Sequence, residues 1–292
     1  MSMQPTAAKL QAARFAAWRY AADLRRVSTR SGSARSALQS LGGPPRNDTE
    51  VWGDATRSRH EDYRRVHSVP SDRVAVVCVS MRPHMLEAVI ANISRQVDVD
   101  LEVVYVANDG TFDMHVVEES FAPIERTTLL HPPARTSLGA ALNQAMEHTD
   151  ARFVAKFDDD DVYGPWFLAD SLRAHGYAGA GVVGKHSYYG QIARTGSTYL
   201  RFPQNEFRYS GTLAGGTLVI DRDRIGDQRF EDISLGEDRA FLAQCHRRGF
   251  STFSADRFNF VQMRTGSNTW TIDDAAFSTD SIPVKQSVEI DR

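Results

Sequence analysis

Four consecutive aspartates, Asp158–Asp161, follow an apolar run in the stretch "RFVAKFDDDDVYGPWF". Four neighbouring carboxylates repel one another, and a bound cation would relieve that repulsion. Asp161 could instead cap a following helix, but capping uses only one carboxylate. Hard divalent cations such as Mg²⁺ take oxygen ligands, often one or two carboxylates together with phosphate oxygens. The cluster therefore predicts a site for a metal ion and a phosphate group, without deciding among kinase-like, nucleotidyl and glycosyl transfer.

A second acidic pair, Glu237 and Asp238, begins the helix predicted over "GEDRAFLAQCHRRG". Ser234 lies three positions before Glu237, and the two fit a capping box, which gives Glu237 a structural role. The capping box does not involve Asp238, although a carboxylate in the first turn of a helix gains from the helix dipole. Beside a metal–phosphate site, Asp238 becomes a candidate general base.

The elements that would position these residues alternate between short apolar strands and amphipathic helices. "VAVVCVS" at 74–80 and "LEVVYVAND" at 101–109 are nearly continuous in apolar character, which is typical of strands buried on both faces. Apolar residues recur between them at helical spacing, at Leu86, Val89, Ile90, Ile93 and Val97. Strand, helix and strand within about 35 residues predict a parallel sheet with right-handed crossovers.

The same alternation continues along the chain. Further helices are predicted at Ser137–His148 and after "YGPWFLADSLRAH", and further strands at "RFVAKF", "GVVG", "GGTLVI" and "RFNFVQMR". In an open parallel sheet, ligands bind outside the carboxyl ends of the strands. "SMRP", "NDG" and the aspartates each follow a predicted strand, so we expect them at one edge. Taken alone, Asn108-Asp109-Gly110 is equally well explained as a turn.

Composition sets outer bounds on the class of protein. The 292 residues are 41% hydrophobic and 24% charged, which is ordinary for one large globular domain or two small ones. The sequence predicts no transmembrane helix and no secretory signal, because it lacks a long apolar run and a signal-type N-terminus. Cys78 and Cys245 fall in apolar runs, which predicts buried thiols and favours the cytoplasm.

The formal net charge of −3 hides a basic N-terminal arm, since residues 1–46 carry eight basic side chains against one acid, Asp23. Apolar residues from Leu10 to Val27 recur at helical spacing, and a Ser/Gly/Pro-rich linker follows over 28–70. The arm could be a solvated helix, lie peripherally on the inner face of a membrane, pack on the chain or self-associate. Its Ala-rich face favours packing or self-association, because alanines bury little area in lipid.

Eight motifs in order resemble family 2-type glycosyltransferases with the GT-A fold, in particular bacterial transferases that build capsular, teichoic-type or related surface polysaccharides. They are "SMRP", "NDG", "SLGAALNQA", "KFDDDDVYGPWFLAD", "VVGK", "GGTLVI", "GEDRAFL" and "RTGSNTW". The resemblance implies a Rossmann-like α/β domain with a mostly parallel sheet flanked by helices. We expect this domain over 72–275, a basic helical and linker extension over 1–71, and a C-terminal tail over 276–292.

The resemblance also implies an activity: metal-dependent, inverting transfer of a sugar from a nucleoside-diphosphate sugar to a hydroxyl of a glycan or lipid-linked acceptor, without nucleic acid. A D-x-D element would hold Mg²⁺ or Mn²⁺, and here Asp160 is the expected ligand with Asp158 nearer the ribose. The register is ambiguous by one because all four residues are aspartates. Asp238 is implied as the base that deprotonates the acceptor.

The remaining site residues follow by position in the same motifs. The implied donor-binding residues are Ser80, Arg82, Asp109, Lys156, Asp158 and Asp159. Candidate phosphate or acceptor contacts are Lys185, Glu237, Arg264 and Trp270. Related sequences often carry a His before "TW", where this chain has Asn268, a poorer metal ligand.

Two other functions remain open at the level of sequence. A nucleotidyltransferase also places carboxylates and a metal on an α/β sheet, but it usually has a Gly-rich basic loop that "SMRPHM" lacks. A GT-A-like module without activity would only bind a glycan or a partner. The presence of both the D-x-D element and Asp238 disfavours that second alternative.

Overall fold

The structure is a computed structural model that describes residues 63–133, 136–266 and 273–284. Its strands are β1 (Val74–Ser80), β2 (Leu101–Ala107), β3 (Thr127–Leu130), β4 (Phe153–Phe157), β5 (Val162–Tyr163), β6 (Val182–Gly184), β7 (Tyr188–Ile192), β8 (Ser197–Arg201), β9 (Arg208–Tyr209), β10 (Val219–Asp221), β11 (Thr252–Ser254), β12 (Phe260–Arg264) and β13 (Ser281–Val284). Its helices are α1 (Leu86–Ser94), α2 (Met114–Phe121), α3 (Leu138–Glu147), α4 (Phe167–Ala178), α5 (Arg222–Ile225), α6 (Glu237–Arg247) and α7 (Asp274–Ser278), with 3₁₀ turns at Pro83–Met85 and Gly215–Thr217.

The first sheet has eight strands in the order β3-β2-β1-β4-β10-β6-β11-β9. Strands β3, β2, β1 and β4 run parallel to one another, as do β6 and β11. Strands β10 and β9 run antiparallel to their neighbours. This mostly parallel sheet confirms the predicted α/β fold class, and its parallel part comes from the strand–helix–strand units that the sequence predicts.

Helices cover both faces of the first sheet because their apolar sides match the apolar strands. On one face, α1 and α2 bury Val89, Ile93 and Phe121 against Tyr105. On the other face, α3 and α6 form a second apolar cluster with β10. Helix α3 begins where the sequence predicts, because the Ser137 hydroxyl accepts a hydrogen bond from the Ala140 amide at 3.1 Å.

The second sheet has five strands in the order β13-β8-β7-β12-β5. Strand β5 follows the aspartates directly and pairs antiparallel with β12, so the last predicted strand lies beside the aspartate cluster. Strands β7 and β8 form a hairpin that is not predicted from the sequence. The second sheet therefore lies beside the aspartates, next to the carboxyl edge of the first sheet.

Both ends of the described chain pack on this body. Tyr63, from the predicted N-terminal extension, is 1% exposed and lies against Tyr177 of α4. The predicted tail over 276–292 begins inside α7, and its described part continues into β13, which pairs with β8. The basic arm over 1–46 lies outside the described residues, so its contact with a membrane or with a second copy stays a prediction. None of the described helices combines the length and apolar character that a membrane span requires.

Candidate functional site

The carboxyl ends of β1 and β4 bring Ser80, Arg82 and the aspartates together. The two strands are parallel neighbours in the first sheet, with Cys78 opposite Phe157. Both strands therefore end at the same edge of the sheet, and β1 extends two residues beyond the end of β4. The Ser80 hydroxyl donates a hydrogen bond to Asp159 Oδ2 at 2.5 Å. The predicted convergence of "SMRP" and the aspartate run is what the structure contains.

Arg82 joins two of the four aspartates. Its guanidinium donates to both carboxylate oxygens of Asp159 and, through Nη1, to Asp160 Oδ2 at 2.9 Å. Asp159 is only 3% exposed, so it holds Arg82 in place from inside the protein. Burial of the guanidinium opposes its charge, but the two carboxylates outweigh it and raise the pKa of Arg82. Asp159 thus holds Arg82 in place, and Asp160 is the more exposed of the two carboxylates that pair with it.

Lys156 and Glu237 form the inner wall beside Asp158. The Lys156 ammonium donates to Asp158 Oδ1 and lies 3.7 Å from Glu237 Oε1. Burial would lower the pKa of Lys156, but the carboxylates of Asp158 and Glu237 reverse that effect and raise it. Burial raises the pKa of Glu237, and Lys156 counteracts part of this rise. Asp158 keeps 35% of its side chain exposed, so it faces both Lys156 and the solvent.

Asp161 contacts the second sheet with one carboxylate oxygen and lies beside Asp158 at Gly216 with the other. Its Oδ1 accepts a hydrogen bond from the Met263 amide of β12 at 2.9 Å, which ties the cluster to the second sheet. Burial, followed by the charges of Asp158 and Asp160, raises its pKa. The alternative that Asp161 caps the following helix is wrong, since α4 begins at Phe167 with Trp166 at the N-cap.

Two adjacent glycines connect the aspartates with Asp238. A Cβ on Gly215 would lie 2.1 Å from Asp238 Oδ2, and a Cβ on Gly216 would lie 2.7 Å from Asp158 Oδ2. The Gly216 carbonyl also accepts a hydrogen bond from the Tyr163 hydroxyl at 2.6 Å. A side chain at either glycine would force the facing carboxylate to move. The sequence predicts a strand at "GGTLVI" and not this role, for which the paired glycines were the available signal.

The predicted capping box at Ser234 is wrong. Helix α6 begins at Glu237, and its N-cap is Gly236 with a φ of 82°, a conformation that glycine adopts without steric cost. Glu237 therefore does not reach back to Ser234, and its carboxylate turns inward to Lys156. Asp238 is half-buried and accepts a hydrogen bond from the Arg239 amide at 2.6 Å. The two acids of the pair thus have different surroundings.

The other predicted site residues are more dispersed. Asp109 is at the carboxyl end of β2, where it accepts hydrogen bonds from the amide and hydroxyl of Thr111 at 2.9 and 2.6 Å, as a turn residue does. Lys185 is 2% exposed, and its ammonium forms an ion pair with Asp256 at 3.2 Å inside the protein. Arg264 ends β12 and lies 5.5 Å from the Phe277 ring. Trp270 and Asn268 lie outside the described residues.

The carboxylates suit a divalent cation that is shared with a ligand. Across the described residues, no three His, Cys, Asp or Glu side chains are arranged to hold a metal ion by themselves. Mg²⁺ and Mn²⁺ sites that include substrate phosphates need only one or two protein carboxylates. Burial, with Asp158 and Asp159 nearby, raises the pKa of Asp160, so this carboxylate would gain from added positive charge. Asp158 and Asp160 therefore fit a metal held jointly with a diphosphate.

Comparison with known proteins identifies the family of the chain. The profile of Glycosyl transferase family 2 matches residues 74–228, which is more than half of the chain. No match was found among curated proteins.

Two solved structures share the fold at low sequence identity. The mannosyltransferase PcManGT from Pyrobaculum calidifontis, in complex with GDP-Man and Mn²⁺, is 16% identical with a TM-score of 0.53, over 85% of this chain and 67% of that chain. TarS 1–349 from S. aureus, in complex with UDP-GlcNAc, is 15% identical with a TM-score of 0.55, over 70% of this chain and 63% of that chain. The chain thus spans about two thirds of these neighbours. It belongs to glycosyl transferase family 2 and has the GT-A fold.

Proposed function

We propose that the protein is a metal-dependent inverting glycosyltransferase that moves a sugar from a nucleoside-diphosphate sugar to a hydroxyl of a glycan or lipid-linked acceptor. One observation carries the proposal: the Gly215-Gly216 pair lies against both Asp158 of the aspartate cluster and Asp238. Carboxylates suited to a metal and diphosphate are thereby next to a carboxylate suited to accept a proton. The neighbours' bound nucleotide sugars and Mn²⁺ support the same chemistry.

The donor would bind along the carboxyl edge of the first sheet. Asp160 and Asp158 would hold Mg²⁺ or Mn²⁺, and the bound metal would neutralise charge that builds on the leaving diphosphate. Lys156 keeps Asp158 oriented and adds a positive charge below it. Ser80 and Arg82 fix Asp159, so the loop after β1 keeps its shape when a donor enters. Asp109 would contact the nucleoside.

Asp238 would accept the proton of the attacking hydroxyl. It is half-buried in the first turn of α6, and its Oδ1 is held by the Arg239 amide. Its Oδ2 faces Gly215, which leaves the second oxygen directed at the aspartate side of the site. A base on the face opposite the leaving diphosphate gives a single displacement, and a single displacement inverts the anomeric carbon.

A panel of nucleoside-diphosphate sugars tests the proposal. The full-length chain is incubated with each donor and with Mn²⁺ or Mg²⁺, and the released nucleotide is identified. Glycosyl transfer to an acceptor or to water releases the nucleoside diphosphate, because the bond broken is the one from the sugar carbon to the diphosphate. Release of a nucleoside monophosphate with a sugar phosphate would instead indicate attack at phosphorus and would refute the proposal. No turnover with any donor, although nucleotide binds, would favour a binding module.

A further inference from the structure

Arg201 is a buried cation whose hydrogen-bond partners are all neutral. It ends β8 and is 4% exposed. Its Nη1 donates to Tyr188 Oη at 3.2 Å and to Gln262 Oε1 at 3.3 Å. Among the residues that the structure describes, no carboxylate lies within ion-pair distance of this guanidinium. Burial is unfavourable for such a charge unless an anion compensates it.

The surroundings of Arg201 increase this need. Burial, together with the nearby charge of Arg264, lowers the pKa of Arg201. The Phe277 ring stacks on Arg201 at 4.1 Å and also lies 5.5 Å from Arg264. One aromatic ring thus holds two guanidinium groups on the same face of the second sheet. Cation–π contacts stabilise the Arg201 cation but do not neutralise it.

The position of Arg201 is built into the sheet. Gly190 lies between Tyr188 and Ile192 on β7, and a Cβ there would lie 2.5 Å from Phe277 and 3.2 Å from Arg201 Cδ. The missing side chain makes room for the ring and for the arginine stem. Tyr188, which pairs with Arg201 across the hairpin, has its pKa raised to about 12, first by burial and further by the carboxylates of Asp161 and Asp238. The charges of Asp161 and Asp238 thus act on the residue that lies beside Arg201.

We propose that Arg201, with Arg264 beside it, binds a phosphate or carboxylate group carried by the acceptor. A guanidinium presents a planar fork that matches either oxyanion in a bidentate way. The acceptor is the chosen source because the aspartate cluster, where the donor diphosphate would bind, already has its own cations in Arg82 and Lys156. Arg201 is paired with none of these aspartates. This inference rests on the proposed function for the identity of the acceptor, but not for the binding of an anion.

Inorganic phosphate is the probe for anion binding. The unfolding midpoint of the full-length chain is measured in a phosphate titration, because a ligand that binds only the folded state raises it. Wild type and the exposed-arginine control Arg194→Gln should show the same stabilisation. Arg201→Gln should lower the apparent affinity at least tenfold, with Arg201→Lys intermediate, since it keeps the charge but not the fork. An unchanged response in Arg201→Gln, or no response in wild type, overturns the proposal.

Two further measurements separate the sources of the anion. Arg82→Gln should keep the phosphate response; if it alone loses the response, phosphate binds at the aspartate cluster and the proposal is wrong. Arg201→Gln should bind nucleoside diphosphate with Mn²⁺ as tightly as wild type, and a tenfold loss would assign the anion to the donor and overturn the acceptor site. If wild type hydrolyses no donor, the proposed function fails, yet the phosphate titration still decides whether Arg201 binds an anion.

Discussion

The two sheets compensate their buried charges differently. At the carboxyl edge of the first sheet, acids lie next to cations: Arg82 joins Asp159 and Asp160, and Lys156 contacts Asp158. On the second sheet, Arg201 is as buried as Lys156, but its hydrogen-bond partners are a hydroxyl and an amide oxygen. The acids are thus partly neutralised within the chain, whereas Arg201 depends on aromatic rings.

This difference indicates two kinds of ligand. The acidic edge, which is the carboxyl edge of the first sheet with Asp158–Asp161, would accept a cation together with an anionic diphosphate. Arg82 and Lys156 already balance part of its negative charge. The arginine face, which is the face of the second sheet with Arg201 and Arg264, would accept an anion directly. Asp161 links the two regions, since it belongs to the aspartate run but receives the Met263 amide of β12. The following predictions test whether the acidic edge and the arginine face divide the donor and the acceptor between them.

The largest effect is expected at the acidic edge. Asp160→Ala should abolish measurable transfer, and excess chelator should do the same to wild type, because charge on the leaving diphosphate would then be uncompensated. The measurement is nucleoside diphosphate release with the donor identified in the panel. Asp150→Ala is the control, since Asp150 is an exposed acid just before β4. Full activity in chelator would show that the acidic edge holds no essential metal.

The next effect concerns the base. Asp238→Asn keeps the size of the side chain and removes the proton acceptor, so turnover should fall by roughly 10²–10⁴-fold. Donor affinity, measured by calorimetry, should stay the same because the proposed partner of Asp238 is the acceptor hydroxyl and not the donor. Asp227→Asn is a matched control on the preceding loop, where Asp227 is 86% exposed and pairs with Arg248. Equal turnover in Asp238→Asn would move the base to another carboxylate.

The glycine pair should show an intermediate effect. Gly215→Ala places a methyl group where Asp238 Oδ2 now lies, and a displacement of about 1 Å lowers turnover by about 10²-fold. Gly176→Ala is the control, because a Cβ there has no neighbour within 4 Å. The control should keep full activity and gain about 0.5–1 kcal/mol in unfolding free energy, since alanine favours a helix over glycine. Unchanged turnover in Gly215→Ala would show that the position of Asp238 beside Gly215 does not matter for the reaction.

The smallest effect is expected at the exposed turn after β2. Asp109→Ala should weaken nucleotide binding and leave the fold intact, because Asp109 lies at the carboxyl end of the strand. Asp113→Ala is the comparison in the same loop: Asp113 caps α2 through the His115 amide, so its loss should cost about 1 kcal/mol in stability and no affinity. If calorimetry gives the same affinity for Asp109→Ala and wild type, Asp109 is only a turn residue.

The sequence predicts the first sheet better than the second. Continuous apolar runs give β1 and β2, and Ser137 fixes the start of α3, because these signals are local. The hairpin of β7 and β8 is missed although its two strands are neighbours in the chain, and the short β13 is missed because it pairs with the distant β8.

The site residues also divide into those that the sequence predicts and those that only the fold brings into place. The convergence of Ser80, Arg82 and the aspartates follows from the parallel order of β1 and β4. The inward turn of Glu237 is not predictable from its capping-box pattern, because the contact with Lys156 on β4 decides it. Arg201 carries no motif, and its position depends on Gly190 and Phe277, which only the folded second sheet brings together.

The stereochemistry of the reaction tests the central claim most directly. The identified donor is hydrolysed with water as the acceptor, and early proton NMR spectra give the anomer of the released sugar before it equilibrates. A single displacement, with Asp238 on the face opposite the diphosphate, predicts that an α-linked donor first releases the β sugar. Release of the same anomer as in the donor would contradict the arrangement of metal–diphosphate edge and opposing base.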